Sequence, residues 1–157
     1  MKGLNEFVAI AIILSIAISG IVISMEFIKP MIEKSRDNFI VNEAISNILK
    51  IRDTLYEIVN EGEGSRRLIN IVVSDGTYTF DENADAINFT YQMKGNLVFL
   101  GEKRGIQIRT VDRQLIMSLN FSNIDFINEF YIYKGSKTIM LSYEDFENGK
   151  AKISISD

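Results

Sequence analysis

FVAIAIILSIAISGIVISM, residues 7 to 25, is a run of nineteen residues without a charge. As a helix it would rise about 28 Å, close to the ~30 Å hydrocarbon thickness of a bilayer. Glu6 stands at its start, and Glu26, Lys29 and Pro30 follow it. The run exceeds the 7–15 apolar residues of a secretory signal. One small-x-small box, Ala17-Ile18-Ser19, offers a signal-peptidase cut before Gly20. Against that cut, apolar character continues through Gly20-Ile21-Val22-Ile23, and Glu6 occupies the place of a signal's basic region. The length predicts a membrane-spanning helix. Charge sets its orientation weakly: Lys2 precedes the run, while Lys29, Lys34 and Arg36 follow it.

The run is patterned. Ala11, Ser15 and Ser19 recur every four residues and share one helix face, and Gly20 and Ser24 repeat the spacing beside them. Small residues at this spacing let helix backbones approach closely in an apolar medium. Small residues are also common in membrane helices generally, so the stripe has a bland reading beside the packing one. Glu6 has two readings as well. In a dry bundle its carboxylate needs a positive partner, such as an α-amino group of a neighbouring chain. At a membrane surface it simply favours the helix N-terminus.

Pro30 either starts a helix or kinks one, and a kink is the expectation because helical character resumes at once. Residues 31–38, MIEKSRDN, read as a solvated neck. From Val41 an apolar stripe steps 3, 4, 3, 4, 3 through Ala44, Ile48, Ile51, Leu55 and Ile58, widened by Ile45, Leu49 and Val59. It is too short for a sustained coiled coil, so packing against the chain's own C-terminal part is expected. Asn60-Glu61-Gly62-Glu63-Gly64-Ser65 ends the helix. A helix over residues 4–59 is about 84 Å long and must project from any globule this chain can build.

Lys2-Gly3 followed by Leu4-Asn5-Glu6-Phe7 and a long apolar helix resembles the class III signal of archaeal type IV pilins and archaellins. The resemblance implies a prepilin peptidase cutting between Gly3 and Leu4, so that Lys2, Gly3 and Leu4 form the recognition and cleavage site. It implies a retained apolar helix that becomes a filament core, with identical subunits as partners and an assembly ATPase and platform behind them. The implied leader is three residues, and Glu6 would be third in the mature chain, where bacterial type IV pilins place their glutamate fifth. The resemblance covers about the first 60 residues. The implied organisation is a leader at 1–3, a hydrophobic then amphipathic helix at 4–60, and a globular β domain at 66–157.

After Ser65 the period becomes alternating. Leu68 to Val73 is apolar apart from Asn70, as in a strand covered on both faces. Further strands are predicted around Tyr78–Phe80, Ile87–Met93, Leu97–Leu100, Ile106–Ile108, Leu115–Leu119, Phe130–Tyr133, Thr138–Leu141 and Ile153–Ile155. Asp75-Gly76 and Asn148-Gly149 are hairpin signals. Seven to nine short strands predict an antiparallel sandwich or a curled sheet and so an α+β fold, either with the helix stripe on the sheet's inner face or as a sandwich with a core of its own.

Chemistry is sparse. Cysteine and histidine are absent, which removes disulfides, thiolate metal sites and the commonest general base and metal ligand. Asp81, Asn83 and Asp85 match the start of a calcium loop, but Ala86 and Gln92 stand where glycine and the final acid belong, so a turn is the reading. Tyr143 to Glu147 reads as a solvated hairpin end. Asn88-Phe89-Thr90 and Asn120-Phe121-Ser122 are glycosylation sequons at a frequency chance supplies. With a net charge of −4 and no basic stripe, nucleic acid is not an expected partner. The sequence reading is a non-enzymatic filament subunit at the cell surface, without cofactor. Its rival is a single-pass anchored β-domain that binds or senses and never polymerises.

Overall fold

The computed structural model describes residues 2–95 and 97–157, with side chains from Phe7 onward except Asn96. Among the described residues one helix, α1 (Lys2–Glu61), is followed by ten strands: β1 (Arg66–Val73), β2 (Thr77–Asp81), β3 (Ala86–Gln92), β4 (Leu100–Lys103), β5 (Ile106–Val111), β6 (Gln114–Asn120), β7 (Ile124–Phe126), β8 (Phe130–Ile132), β9 (Gly135–Glu147) and β10 (Lys150–Ser156). The fold is α+β, as the change of period at Ser65 predicts. The helix stops where Gly62 takes φ 99° and its N–H donates to the Ile58 carbonyl, and Ser65 Oγ donates to that same carbonyl at 2.7 Å.

Two sheets share one core. The first runs β1-β9-β10-β7 and the second β4-β5-β6-β3-β2-β8. All pairings are antiparallel except β10 with β7. Phe80 of the second sheet meets Phe126 of the first edge-on, with ring centroids 5.6 Å apart, and Phe126 meets Phe121 likewise at 5.7 Å. Into this core the helix delivers Ile40, Val41, Ala44, Ile45, Ile48, Leu49, Ile51, Leu55 and Ile58, all buried, with Val59 partly so. The predicted stripe is therefore the helix's docking face.

The helix also closes the open side of β1, an edge strand. Glu43, Asn47 and Lys50, spaced i, i+4, i+7, reach alternate residues of that strand's margin. Glu43 accepts from Ser74 N–H at 2.9 Å, Asn47 Nδ2 donates to Val72 O at 2.9 Å, and Lys50 Nζ donates to Asn70 O at 2.7 Å. Backbone groups that would otherwise invite another strand are thus occupied.

Four local expectations are corrected. The strand Leu68–Val73 is covered on one face only: Leu68 is 70% exposed and Val72 is exposed, because the outer face of this sheet meets solvent. Asp75-Gly76 is not a hairpin but a corner, since β1 pairs with β9 and the chain crosses to the other sheet before β2. Leu97–Leu100 is not a strand over its length; β4 begins at Leu100. The neck at 31–38 is not uniformly solvated, because Asp37 is fully buried. Asn148-Gly149 does close a hairpin between β9 and β10, with both residues at positive φ (55° and 80°), the signature of a type I′ turn.

Candidate functional site

The largest feature left uncovered by the fold is the first half of α1. Every side chain from Phe7 to Ile32 is exposed. The helix contains a stretch of mean hydropathy 2.7, none of it buried, long and apolar enough to cross a membrane. The segment stays helical on both sides of Pro30, whose ring nitrogen cannot donate to the carbonyl of Glu26.

Within this half the small residues form a stripe whose polar atoms are satisfied internally. Ser15 Oγ donates to Ala11 O at 2.8 Å, Ser19 Oγ to Ser15 O at 2.8 Å, and Ser24 Oγ to Gly20 O at 2.7 Å. These hydroxyls ask nothing of the surroundings, so the stripe meets lipid or another helix without an unpaired donor. A Cβ at Gly20 would meet nothing within 4 Å, so bulk there is excluded by no contact inside this chain. The side chains of Lys2, Leu4 and Glu6, together with Gly3, lie outside those described, and so does their role as cleavage and charge residues.

The two halves of the helix are joined at a polar latch that the sequence reading missed. Asp37 Oδ1 accepts from Tyr91 Oη at 2.7 Å and from Lys94 N–H at 3.2 Å, while Oδ2 accepts from Gly95 N–H at 2.7 Å. A Cβ on Gly95 would stand 3.0 Å from Asp37 Oδ2, so the turn is seated tightly on the helix. Burial, and then the bond to Asp37, push the Tyr91 phenol well above its usual range. Beside the latch, Arg36 pairs with Asp75 at 2.8 Å. A signal existed: Asp37 lies four residues before Val41 and continues the step of the apolar stripe.

The remaining candidates resolve into structure. Asp81 Oδ1 accepts from the N–H groups of Asn83 and Ala84 at 2.9 and 3.0 Å, a side-chain-closed turn between β2 and β3. Asp85 is turned toward Lys150 instead. Among the described residues no group of His, Cys, Asp or Glu is placed to hold a metal ion. The two sequon asparagines are neighbours: Ser118 Oγ lies 2.7 Å from Asn88 Oδ1 and 3.3 Å from Asn120 Oδ1. Asn120 is exposed at the end of β6, whereas Asn88 is half-buried in a central strand.

Comparisons with protein-family models, with curated proteins and with solved structures find no significant match for this chain.

Proposed function

We propose that this chain is the structural subunit of an extracellular type IV pilus-like filament of the archaeal kind. The helix first holds the chain in the cytoplasmic membrane. After cleavage by a prepilin peptidase it packs against the helices of identical subunits, driven by an assembly ATPase and its platform. The β domain forms the filament's outer surface, and no cofactor or chemistry is required. The observation that carries this reading is the apolar helix of Phe7 to Met25, within an exposed stretch that reaches Ile32, for which the chain's own fold provides no cover. The resemblance of Lys2-Gly3-Leu4 and Glu6 to the family's processing signal supports it from the sequence side.

The deciding experiment is sedimentation of cell-derived material without detergent. A filament subunit pellets as a very large particle, with a chain mass that starts at Leu4. Ser15→Leu or Ser19→Leu abolishes the large particle while leaving membrane insertion intact, because leucine suits lipid but keeps backbones apart. Glu6→Gln lowers filament yield, since losing one partner of a buried pair costs about 3–5 kcal/mol, against about 0.3–1 kcal/mol at an exposed helix N-terminus. A chain recovered only with detergent-solubilised membranes, whatever the variant, overturns the filament and leaves the anchored β-domain.

A further inference from the structure

Val98 and Leu100 are 81% and 89% exposed, more than any other large apolar side chain among the described residues, those of the bare helix included. They flank Phe99, which together with Leu97 packs against the core. Their height along the helix is fixed by two contacts. Leu97 shares a cleft with Pro30, Glu33, Lys34 and Lys94, and a Cβ on Gly95 would stand 3.7 Å from the backbone nitrogen of Lys34. At the far end of β4, Arg104 O accepts from Arg52 at 3.3 Å. The segment from Leu97 through β4 therefore climbs beside the helix away from the apolar half, with Leu97 nearest that half and Leu100, three extended residues on, about 10 Å higher.

That end falls at a particular level of a bilayer. With Phe7–Met25 in the hydrocarbon, the headgroup layer, roughly 5–8 Å thick on each side, spans about four or five helical residues. Those residues are Glu26 to Pro30, and Pro30 is the residue that lines the cleft with Leu97. Bases crowd the same level. Lys29, Lys34, Lys94 and Arg113 line the clefts on either side of Glu33, none of them in an ion pair among the described residues, while Arg36 is held by Asp75. Glu33 is the acid that lines both clefts.

We propose that the Leu97–Val98 end of this segment is a second membrane contact, in which Val98 enters the interfacial layer while the surrounding bases meet anionic phospholipid headgroups. This rests on the reading of Phe7–Met25 as a bilayer span. It gives the unassembled subunit a fixed rotational setting on the membrane, with the segment leading into β4 facing the lipid.

The chain contains no tryptophan, so Val98→Trp and Phe27→Trp each install a single fluorophore. Full-length chain is reconstituted into vesicles of phosphatidylcholine with phosphatidylglycerol, doped with lipids brominated near the headgroup. Expected are a blue-shifted, quenched emission from Trp at 98, and a quenching reduced about threefold or more when Lys94→Glu and Arg113→Glu are added. Quenching at position 27 without quenching at 98 overturns this contact and leaves the span. No quenching at either position sinks the span and the contact together. A blue shift at 98 that is unquenched and grows with the protein-to-lipid ratio assigns the β4 edge to a second copy and overturns the lipid assignment. Equal quenching in phosphatidylcholine alone overturns the part given to the bases.

Discussion

The two halves of α1 are both rich in isoleucine and opposite in fate. Ile48, Ile51, Leu55 and Ile58 are wholly buried, whereas Ile10, Ile13, Ile16 and Ile21 stand free. The difference is angular distribution. From Val41 onward apolar side chains keep to one face, which two sheets can cover. Between Phe7 and Met25 they surround the helix, leaving only a narrow small-residue stripe, and nothing of this chain's size could wrap them. An amphipathic helix asks for a domain; a helix apolar on all sides asks for a medium.

The largest test of that contrast is a matched pair of truncations. Ile48→Ala is expected to cost about 3 kcal/mol of β-domain stability, the scale for an isoleucine emptied from a packed core. Ile16→Ala is expected to stay within about 0.5 kcal/mol, as for surface positions. Chemical denaturation of the full chain in detergent, followed by near-UV circular dichroism of the tyrosines, reads both. Equal losses would mean that the two halves unfold as one unit.

Next is the latch at their junction. Asp37→Ala leaves Tyr91 Oη and the Lys94 and Gly95 N–H groups without their acceptor, at an expected cost of about 2 kcal/mol. The same denaturation curve measures it, and amide exchange at Lys94 and Gly95 should accelerate. Unchanged exchange would show that the turn is held by something else.

The third test uses pH. Burial raises the phenols of Tyr78 and Tyr91, so the fold prefers them neutral. An unfolded chain ionises them near pH 10, so their contribution is intact below that value and falls above it, by about 1.4 kcal/mol per pH unit for each. Tyr78→Phe should flatten the alkaline loss. The apolar half contains no tyrosine, so its helicity in detergent should not move over the same range; a parallel loss there would couple the halves.

The smallest effect is expected far from the helix. Lys152 pairs with Asp125 at 2.6 Å and Glu147 at 3.4 Å, and holds the Asp125 carboxyl below the usual range. The pair's contribution is present above the ordinary carboxylate pKa and is lost as pH falls through the depressed one. Lys152→Met should change stability by no more than about 1 kcal/mol, as for other half-exposed pairs, and should lessen the acid-side loss measured by thermal unfolding.

Much of this contrast is legible without coordinates. The stripe from Val41 to Ile58, the stop at Gly62 and the Asn148-Gly149 hairpin are local, and local rules decide them. Asp37 was not legible as buried, though its spacing to Val41 continues the stripe, because its partners lie 54 to 58 residues away. Asp75-Gly76 carries ordinary turn chemistry, which fits a corner between sheets as well as a hairpin. The β5–β6 turn places Asp112 and Arg113 at positive φ (48° and 64°) with no glycine to announce it. Of the candidate site, the bare apolar half could be read directly. The seating of Leu97 beside Pro30 could not, since it depends on how the whole second sheet is hung on the helix.

The fastening of α1 to β1 has a mechanical consequence. Ser74, Val72 and Asn70 are gripped by Glu43, Asn47 and Lys50 in a row parallel to the helix, with the Asp37 latch at one end. A pull along the helix axis loads these contacts and the buried stripe together, as a lap joint carries shear. A pull applied at Gly64 would instead open them one after another, like tape peeled from its end. Stretched between residues 7 and 157 in a force trap, the domain should yield in one abrupt rip; a graded lengthening would mean the joint is not loaded as a unit.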